Sequence, residues 1–556
     1  MIEAFRNWLT WLDLPARPRL LAALSGLLIG LAQPPFGILP GLLGYGLFLW
    51  ALERDLGKNP KRAAFFMGWL AGFSYFFVGC FWIAEAFLVD ADTYGWMAPF
   101  AATMLPSGMG LFWGLFAVLY LRFAPKGMKR FMFFACLFCL MELTRGTVMS
   151  GFPWDPAGAT WRAGSAMSQV AAYVGVYGLS FVTVATFCSI GVARRGQGAA
   201  GYAPVIWSVL VLACCFTLGE VRLSTTPVHN TGYIVRTVQP NIGQAAKWDE
   251  RNFSNLFMSY IHLSKLPPKP GHKVPDLIIW PEGALPFPIE DVMGGWPETY
   301  MRSLLHDKQM LIMGTTKQDV TLKGRLVWRN AMMAWRQDGT QFQAVGVYNK
   351  YKLVPFGEFT PYQDILNPLG MKALTHFDDS FTPGERTKPV TFGTVPRFLP
   401  LICYEGIFPS LDMSPYRSSQ DPTRPKWIVN ISNDAWFGPT TGPRQHLNLA
   451  SYRAIEEGLP MIRSTPTGIS VMIDPLGRVV PGEVLGLGQS GVLDVDLPAP
   501  LPPPAYAAQR SMAELLIALL GLIVLAGDTC FIFLKKTFRG LIGIIDPYVC
   551  KNIRPQ

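Results

Sequence analysis

Arg397-Phe-Leu-Pro-Leu-Ile-Cys-Tyr-Glu-Gly-Ile-Phe-Pro409 is the stretch whose reading decides this chain. The apolar run Phe398 to Ile402 reads as a buried strand that stops at Cys403. Tyr404, Glu405 and Gly406 then turn the chain sharply. A thiol at the end of a buried strand, on a tight turn, is held rigid yet open to substrate, which is how nucleophiles are often mounted. A buried cysteine taken alone is more often packing than catalysis, so its neighbours decide the matter.

Cysteine usage sharpens the reading. Of nine cysteines, Cys80, Cys136, Cys139, Cys188, Cys214, Cys215 and Cys530 lie in strongly apolar stretches, and Cys550 lies in the C-terminal tail. The large polar segment between those stretches holds Cys403 alone, so it cannot form a disulfide within its own domain. In that segment, about 225–505, short β-type runs alternate with helical patterns. Gly232–Val238, Leu277–Trp280, Met310–Gly314, Leu326–Trp335, Gln343–Tyr348, Phe398–Ile402 and Trp427–Ile431 read as strands. Asn255–Leu266, Pro297–Asp307 and Gln445–Gly458 read as helices, the first stopped by Pro267 and Pro268. Strands interleaved with helices indicate a layered α/β domain. Leu501-Pro-Pro-Pro504 reads as a stiff linker out of it.

The flanks belong to a membrane. Half of the 556 residues are hydrophobic and 15% are charged, against about 25% charged in soluble chains. A span needs about 20 mainly apolar residues. Seven candidates precede residue 225: Leu20–Ala32, Gly37–Ala51, Ala63–Val89, Trp96–Phe123, Phe131–Leu143, Ala166–Ala193 and Ala203–Leu218. An eighth runs from Met512 to Leu534. The expected domains are therefore 1–224, 225–505 and 506–556. Basic residues cluster in alternate loops: Arg17 and Arg19; Arg54, Lys58, Lys61 and Arg62; Arg122, Lys126, Lys129 and Arg130; Arg194 and Arg195; Lys535, Lys536 and Arg539. The intervening loops offer Asp90 and Asp92. This alternation places both termini in the cytoplasm and the segment 225–505 outside it, in the periplasm of a Gram-negative cell. The same placement explains the net charge of +10 as topology signal and lipid contact, not nucleic-acid binding. No cleavable signal peptide is read at the N-terminus. The loop Glu142 to Trp161 carries Phe152, Trp154 and Trp161, either an aromatic belt or a floor under the active site with Arg145 near a lipid phosphate. Glu85, inside a predicted span, is either functional or the end of a helix.

Two further stations resemble the one at Cys403 in placement. Leu277-Ile-Ile-Trp-Pro-Glu-Gly-Ala-Leu-Pro286 puts Glu282 just past a buried strand. Tyr348-Asn-Lys-Tyr-Lys-Leu-Val-Pro-Phe-Gly-Glu-Phe-Thr-Pro361 supplies Lys350 and Glu358. Each alone reads as a solvated turn. Together, a carboxylate, an amine and a thiol at strand ends can converge at one edge of a parallel-type sheet. Glu282 would then take the thiol proton, and protonated Lys350 would stabilise an oxyanion. His446 offers a rival Cys-His pair. No cluster has metal-ligand spacing and no Gly-rich phosphate loop is present, so no cofactor is expected.

These stations resemble the Glu-Lys-Cys triad of the nitrilase superfamily, in the variant found in the apolipoprotein N-acyltransferase family. Val238-Gln-Pro-Asn241 with Lys247-Trp248, Ile431-Ser-Asn-Asp-Ala-Trp-Phe-Gly438, Gln445-His446 leading into Arg453-Ala-Ile-Glu456, and Arg463-Ser-Thr-Pro-Thr-Gly-Ile-Ser470 extend the resemblance over nearly the whole chain. It implies a polytopic helical membrane domain of about eight spans carrying an α/β nitrilase-like αββα sandwich. It implies transfer of a fatty acyl chain from a phospholipid, typically phosphatidylethanolamine, to the α-amino group of a diacylated apolipoprotein through a thioester on Cys403. By the same resemblance Glu358 and Glu405 assist as accessory carboxylates that orient Lys350. Trp248, Tyr404 and Trp436 shape the substrate cavity, with core packing as the plainer reading of the tryptophans. A monomer is expected. Two apolar loop stretches, Gly283–Pro288 with Val292–Trp296 and Ile365–Phe377, are read as a mobile lid over the membrane or as ordinary packing. The competing functions are a membrane-tethered amidase of the same superfamily and a transporter with a large external domain. The few ionisable residues in the spans disfavour the transporter.

Overall fold

The computed structural model describes residues 17–193, 201–247, 250–306, 308–321, 324–339, 341–362, 380–409, 416, 418–509 and 519–520. All seven apolar segments expected before residue 225 are helical. They give α1 (Pro18–Ala32), α2 (Gly44–Leu52), α3 (Pro60–Cys80), α4 (Ala98–Phe123), α5 (Arg130–Arg145), α6 (Ala171–Cys188) and α7 (Ala203–Thr225). Among the described residues, four helical runs are long and apolar enough to cross a bilayer: Pro60–Leu88, Ala91–Phe123, Met167–Val192 and Ala203–Thr225. The helices Pro18–Ala32 and Leu39–Leu52 are apolar but shorter. The segment expected as a last span, 512–534, falls almost wholly outside the described residues.

Small residues let these helices meet. A side chain on Gly72 of α3 would put its Cβ 2.9 Å from the Cα of Gly110 on α4, so the two backbones touch. Between helices in lipid, such close packing replaces the hydrophobic drive of a water-soluble core. At one end of the bundle Glu53 pairs with Arg130 at 2.7 Å and accepts from the Tyr120 hydroxyl at 3.1 Å. The polar α/β domain sits on the other end.

That domain contains two sheets. Strands β1 (Asn230–Gln239), β2 (Leu277–Trp280), β3 (Met310–Val320), β4 (Leu326–Asp338) and β5 (Gln341–Asn349) join β11 (Gly491–Pro498) in the order β11-β1-β2-β3-β4-β5. Strands β6 (Phe398–Ile402), β7 (Trp427–Ile431), β8 (Met461–Ser464), β9 (Ser470–Ile473) and β10 (Val479–Leu485) form the second sheet, in the order β10-β9-β8-β7-β6. The centre of each sheet is parallel: β1, β2 and β3 in one, β6, β7 and β8 in the other.

Alternation of side chains along the strands builds three layers of core. Leu277, Ile279, Met310 and Ile312 of the first sheet face Phe398, Ile402, Val429 and Ile462 of the second. Their neighbours Ile278, Trp280, Leu311 and Met313 point outward, onto Phe257, Tyr260 and Ile261 of α8 (Phe253–Ser264) and Met301 of α9 (Trp296–Arg302). On the far side Leu399, Leu401, Ile428 and Met461 pack against Ala450 and Ala454 of α10 (Gly442–Glu457). The result is an αββα sandwich. Both sheets are covered on both faces, which is why the central strands read as continuous apolar runs.

The helix α10 is buried along almost its whole length although its sequence is largely polar. Its polar side chains face the membrane domain and pair there. Asn448 accepts from Ala163 N–H at 2.9 Å and donates to the Ala159 carbonyl at 2.9 Å. Tyr452 donates to the Gly158 carbonyl at 3.0 Å, and Glu456 accepts from Val176 N–H at 2.8 Å. Leu449, Tyr452 and Ile455 complete an apolar cluster continuous with the membrane helices. The loop after α5 has little regular structure, and α10 supplies the partners its backbone needs.

Candidate active site

Cys403 follows directly on β6 and takes φ of +51°, the left-handed region that a side chain with a Cβ rarely adopts. Such a conformation costs on the order of 1–3 kcal/mol and persists only where its surroundings over-determine it. Here Glu405 does much of that. Its Oε2 accepts from Ile402 N–H at 2.7 Å. Its Oε1 accepts from the Tyr348 hydroxyl at 2.7 Å and from the amides of Tyr351 and Lys352 at 2.9 and 3.1 Å. One buried carboxylate thus ties the turn of the thiol to the loop that carries Lys350.

Glu282 lies two residues past β2, and Lys350 directly follows β5, which runs in the same direction as β2. Lys350 is 1% exposed; its Nζ donates to Glu282 Oε1 at 3.2 Å and to Glu358 Oε1 at 2.9 Å. Asn330 of β4 donates through one Nδ2 to the same two oxygens, at 2.8 Å each. The second oxygen of Glu358 accepts from Val354 N–H at 2.8 Å. Glu282 Oε2 is buried and has no hydrogen-bond partner among the described residues; the Cys403 thiol is close enough to this carboxylate for each to shift the other's ionisation. Gly314 makes room for it, since a Cβ there would fall 2.5 Å from the Glu282 Cα and 2.7 Å from the Pro281 carbonyl oxygen.

The charges sort themselves accordingly. Burial, and then the carboxylate of Glu282, push the Cys403 thiol up to about 12 against the partial relief of Lys350. Burial opposes ionisation of Glu282, but the Lys350 ammonium and the hydrogen bonds from Asn330 and Lys350 outweigh it and hold the carboxyl below its usual value. Burial likewise works against the Lys350 charge, and Glu282 and Glu358 overcome it, raising the ammonium above its ordinary range. The resting site is therefore thiol, carboxylate and ammonium, with one oxygen of the base left open.

His446 does not form the rival pair. Its Nε2 lies 3.2 Å from the Cys403 backbone carbonyl, and its Nδ1 lies 3.0 Å from Arg463 Nη2 and 3.1 Å from Asp434 Oδ1. A carbonyl only accepts and a guanidinium only donates. A neutral ring with its proton on Nε2 satisfies the carbonyl and Arg463, and Asp434 Oδ1 is then served by Arg463 and Ser432. Burial and then Arg463 keep the imidazole below its usual pKa, in that neutral form. Asp434, bridged by Arg463 at 2.8 Å, stays ionised despite burial and balances the guanidinium. The cluster props the nucleophile's backbone.

The other expected residues fall in three groups. Tyr404 donates to the Gly151 carbonyl at 2.7 Å and stacks edge-on against Phe408. Trp154 is 1% exposed, donates to Gln445 Oε1 at 3.2 Å and packs on His446, whose ring contacts the Cys403 carbonyl. Arg145 is not available to a lipid phosphate. It is 2% exposed and donates to the carbonyls of Phe152 (2.6 Å) and Trp154 (2.8 Å), because that irregular loop needs donors inside the protein. Glu405 lies within Coulombic reach of Lys350 but bonds to backbone and Tyr348, while Glu358 touches the ammonium itself. Trp436 stands half-buried on the one-turn helix Asp434–Phe437, and Trp248 lies outside the described residues. Of the two apolar loops, Ala284, Leu285, Ile289 and Val292 are buried in the outer core beside α8, while Trp296 is 44% exposed. Most of the second, 363–379, lies outside the described residues. Sequence reasoning missed Asn330, Tyr348 and Gln445; a polar residue at a strand position that pattern would make apolar was the available signal for the first.

A cysteine, a carboxylate and an amine at one edge of an αββα sandwich match a known class. Residues 234–501 correspond to the carbon-nitrogen hydrolase family, so the polar domain is of that class. Residues 25–189 match the N-terminal domain of apolipoprotein N-acyltransferase. The chain is 43% identical over 495 residues to the apolipoprotein N-acyltransferase of Caulobacter vibrioides, covering 88% of this chain and 91% of that one. It is 35% identical to the enzymes of that name from Rhodopseudomonas palustris (91% and 94% covered) and Bradyrhizobium diazoefficiens (90% and 93%). The chain belongs to the apolipoprotein N-acyltransferase family.

Proposed function

We propose that this enzyme moves an acyl chain from a phospholipid to the α-amino group of a diacylglyceryl-cysteine lipoprotein by way of Cys403. Glu282 accepts the Sγ proton as the sulfur attacks the donor ester carbonyl. Negative charge gathers on that oxygen within reach of the Lys350 ammonium. The ester C–O bond breaks, Glu282 returns the proton to the departing alkoxide, and a lysophospholipid leaves. The amine of the acceptor then attacks the thioester, Glu282 takes its excess proton, and collapse restores the thiol. An α-amino group near pKa 8 is partly neutral at about pH 7 and serves as the nucleophile. Glu358 and Asn330 fix Lys350 and Glu282 relative to each other; Glu405 fixes the turn.

The observation that carries this reading is that the nucleophile turn is built into the membrane domain. Tyr404, Ile407 and Phe408 belong to the same apolar cluster as the membrane helices. A tethered amidase acting on a small soluble amide has no need for a thiol placed on the bundle. The arrangement also supports an extracytoplasmic active site. Arg54, Lys58, Lys61, Arg62, Lys126 and Lys129 flank the end marked by the Glu53–Arg130 pair, away from the catalytic domain. Eight spans with both termini cytoplasmic, in the inner membrane, complete the reading.

Purified protein given phosphatidylethanolamine and a diacylated lipopeptide should yield the triacylated peptide, and Cys403→Ser should yield none. Hydrolysis of small amides without transfer to the lipopeptide would overturn the assignment in favour of the amidase.

A further inference from the structure

A cleft of about 370 Å³ opens between the end of the α3 run and the catalytic domain. It is lined by Glu85, Leu88 and Val89 on one side and by residues 243–246 and Ala435 on the other. It adjoins the reaction centre through two links. Asn433, beside Asp434, donates to Gln244 Oε1 at 2.9 Å. Lys247, one residue past the lining, sets its ammonium over Gly283, next to Glu282.

Two of its polar groups are poised for a ligand. Gln244 is 5% exposed, and its Nε2 is buried without a partner among the described residues. The orientation of this amide is determined: Ala435 N–H donates to Asn433 Oδ1 at 3.2 Å, so Asn433 must offer its Nδ2 to Gln244, leaving Gln244 Nε2 as the open end. A buried donor of this kind costs about 1–3 kcal/mol unless something accepts from it. Across the cleft, Glu85 is half-buried, and its Oε2 lies over Gly438, 2.5 Å from where a Cβ would stand. No ion pair engages Glu85 among the described residues, and the other charges on this segment are Asp90 and Asp92. Glu85 and Gln244 thus line one opening, bordered by the exposed Leu88, with the unpartnered Gln244 amide donor buried at its wall.

We propose that this cleft is a subsite for a primary ammonium group carried close to an acceptor oxygen, the ammonium on Glu85 and the oxygen on Gln244 Nε2. Both substrates of the proposed reaction carry that chemistry. The phosphoethanolamine headgroup of the donor has an ammonium beside a phosphate, and the acceptor has an α-ammonium beside a peptide carbonyl. The inference rests on the acyl-transfer reading, and the two half-reactions separate the sources.

The test uses full-length protein in lipid. Thioester formation is timed by intact mass from phosphatidylethanolamine and from phosphatidylglycerol of the same acyl chains. Discharge of the preformed thioester is timed with diacylated lipopeptide. Wild-type thioester formation and discharge establish the underlying reaction independently. For a half-exposed carboxylate, Glu85→Gln should lower the ethanolamine-to-glycerol rate ratio about fivefold, with Glu85→Asp recovering part of it. Gln244→Leu should slow both donors through KM more than kcat. A Glu85→Gln defect confined to discharge would assign the ammonium to the acceptor. A wild-type donor ratio with wild-type discharge in Glu85→Gln, or a uniform slowing of every reaction, would overturn the subsite.

Discussion

Replacing Glu282 by Gln isolates the base from the rest of the site. The amide keeps the size of the carboxylate but cannot take the thiol proton. With the thiol at about 12, only about one molecule in 10⁵ holds a free thiolate at pH 7. Removing Glu282 also removes the second-largest cause of that elevation, while burial, the largest, stays and Lys350 still favours the anion. The thiolate route therefore recovers part of the loss. Removal of a positioned general base typically costs about 10²–10⁴-fold, and that is the expected drop in single-turnover thioester formation at pH 7. The pH profile is the sharper signature. Glu282 is held below the usual carboxylate value, so the wild-type rate should be flat from about pH 5 upward. The variant should climb about tenfold per pH unit below the pKa of its thiol, because only the free thiolate reacts. Quenched-flow intact-mass measurement of the first turnover reads both. A Glu282→Gln rate within tenfold of wild type, or one as flat with pH as wild type, would refute Glu282 as the base.

Three further outcomes follow from the same geometry. Difference absorbance at 240 nm between wild type and Cys403→Ser should show no thiolate step between pH 5 and 9, since burial and Glu282 keep the thiol protonated; a step near pH 4–8, as in a Cys-His ion pair, would contradict this. Glu405→Gln should destabilise the fold by about 3 kcal/mol, because an amide nitrogen would face buried N–H groups where the carboxylate accepts four bonds; denaturant-gradient unfolding in detergent measures it. Gly314→Ala should leave the protein folded but cut thioester formation about 10²-fold by displacing Glu282; near-normal turnover would show that the backbone yields there.

How much of this was legible depends on how each element hides its charges. β2 and β6 carry uninterrupted apolar runs, β7 one broken only by Asn430, and their bounds were readable to the residue. The strands β8 to β11 were not readable. β8 contains Arg463, which is fully buried against Asp434, and β11 contains Asp494, paired with Arg236 at 2.6 Å in the core. β10 carries Pro481 and Gly482. Buried ion pairs look like surface in a one-dimensional pattern, so both strands fell below the apolar signal. Arg145 failed for the same reason in reverse: a basic residue beside aromatics reads as a lipid contact, yet the carbonyls of its own loop claim it. The strand-end placement of Glu282, Lys350 and Cys403 was legible because turn chemistry and apolar runs are local. That α10 carries the contact with the membrane bundle was not, since it gives no apolar stripe to announce an interface.

The most direct test of the central claim is the mass of the intact protein after incubation with phosphatidylethanolamine and no acceptor. The account predicts a gain of one acyl chain, mapped to Cys403, removed by hydroxylamine or by a diacylated lipopeptide, and absent in Cys403→Ala. Folded wild-type protein that gains no mass in the presence of lipid, or an adduct that survives in Cys403→Ala, would contradict it.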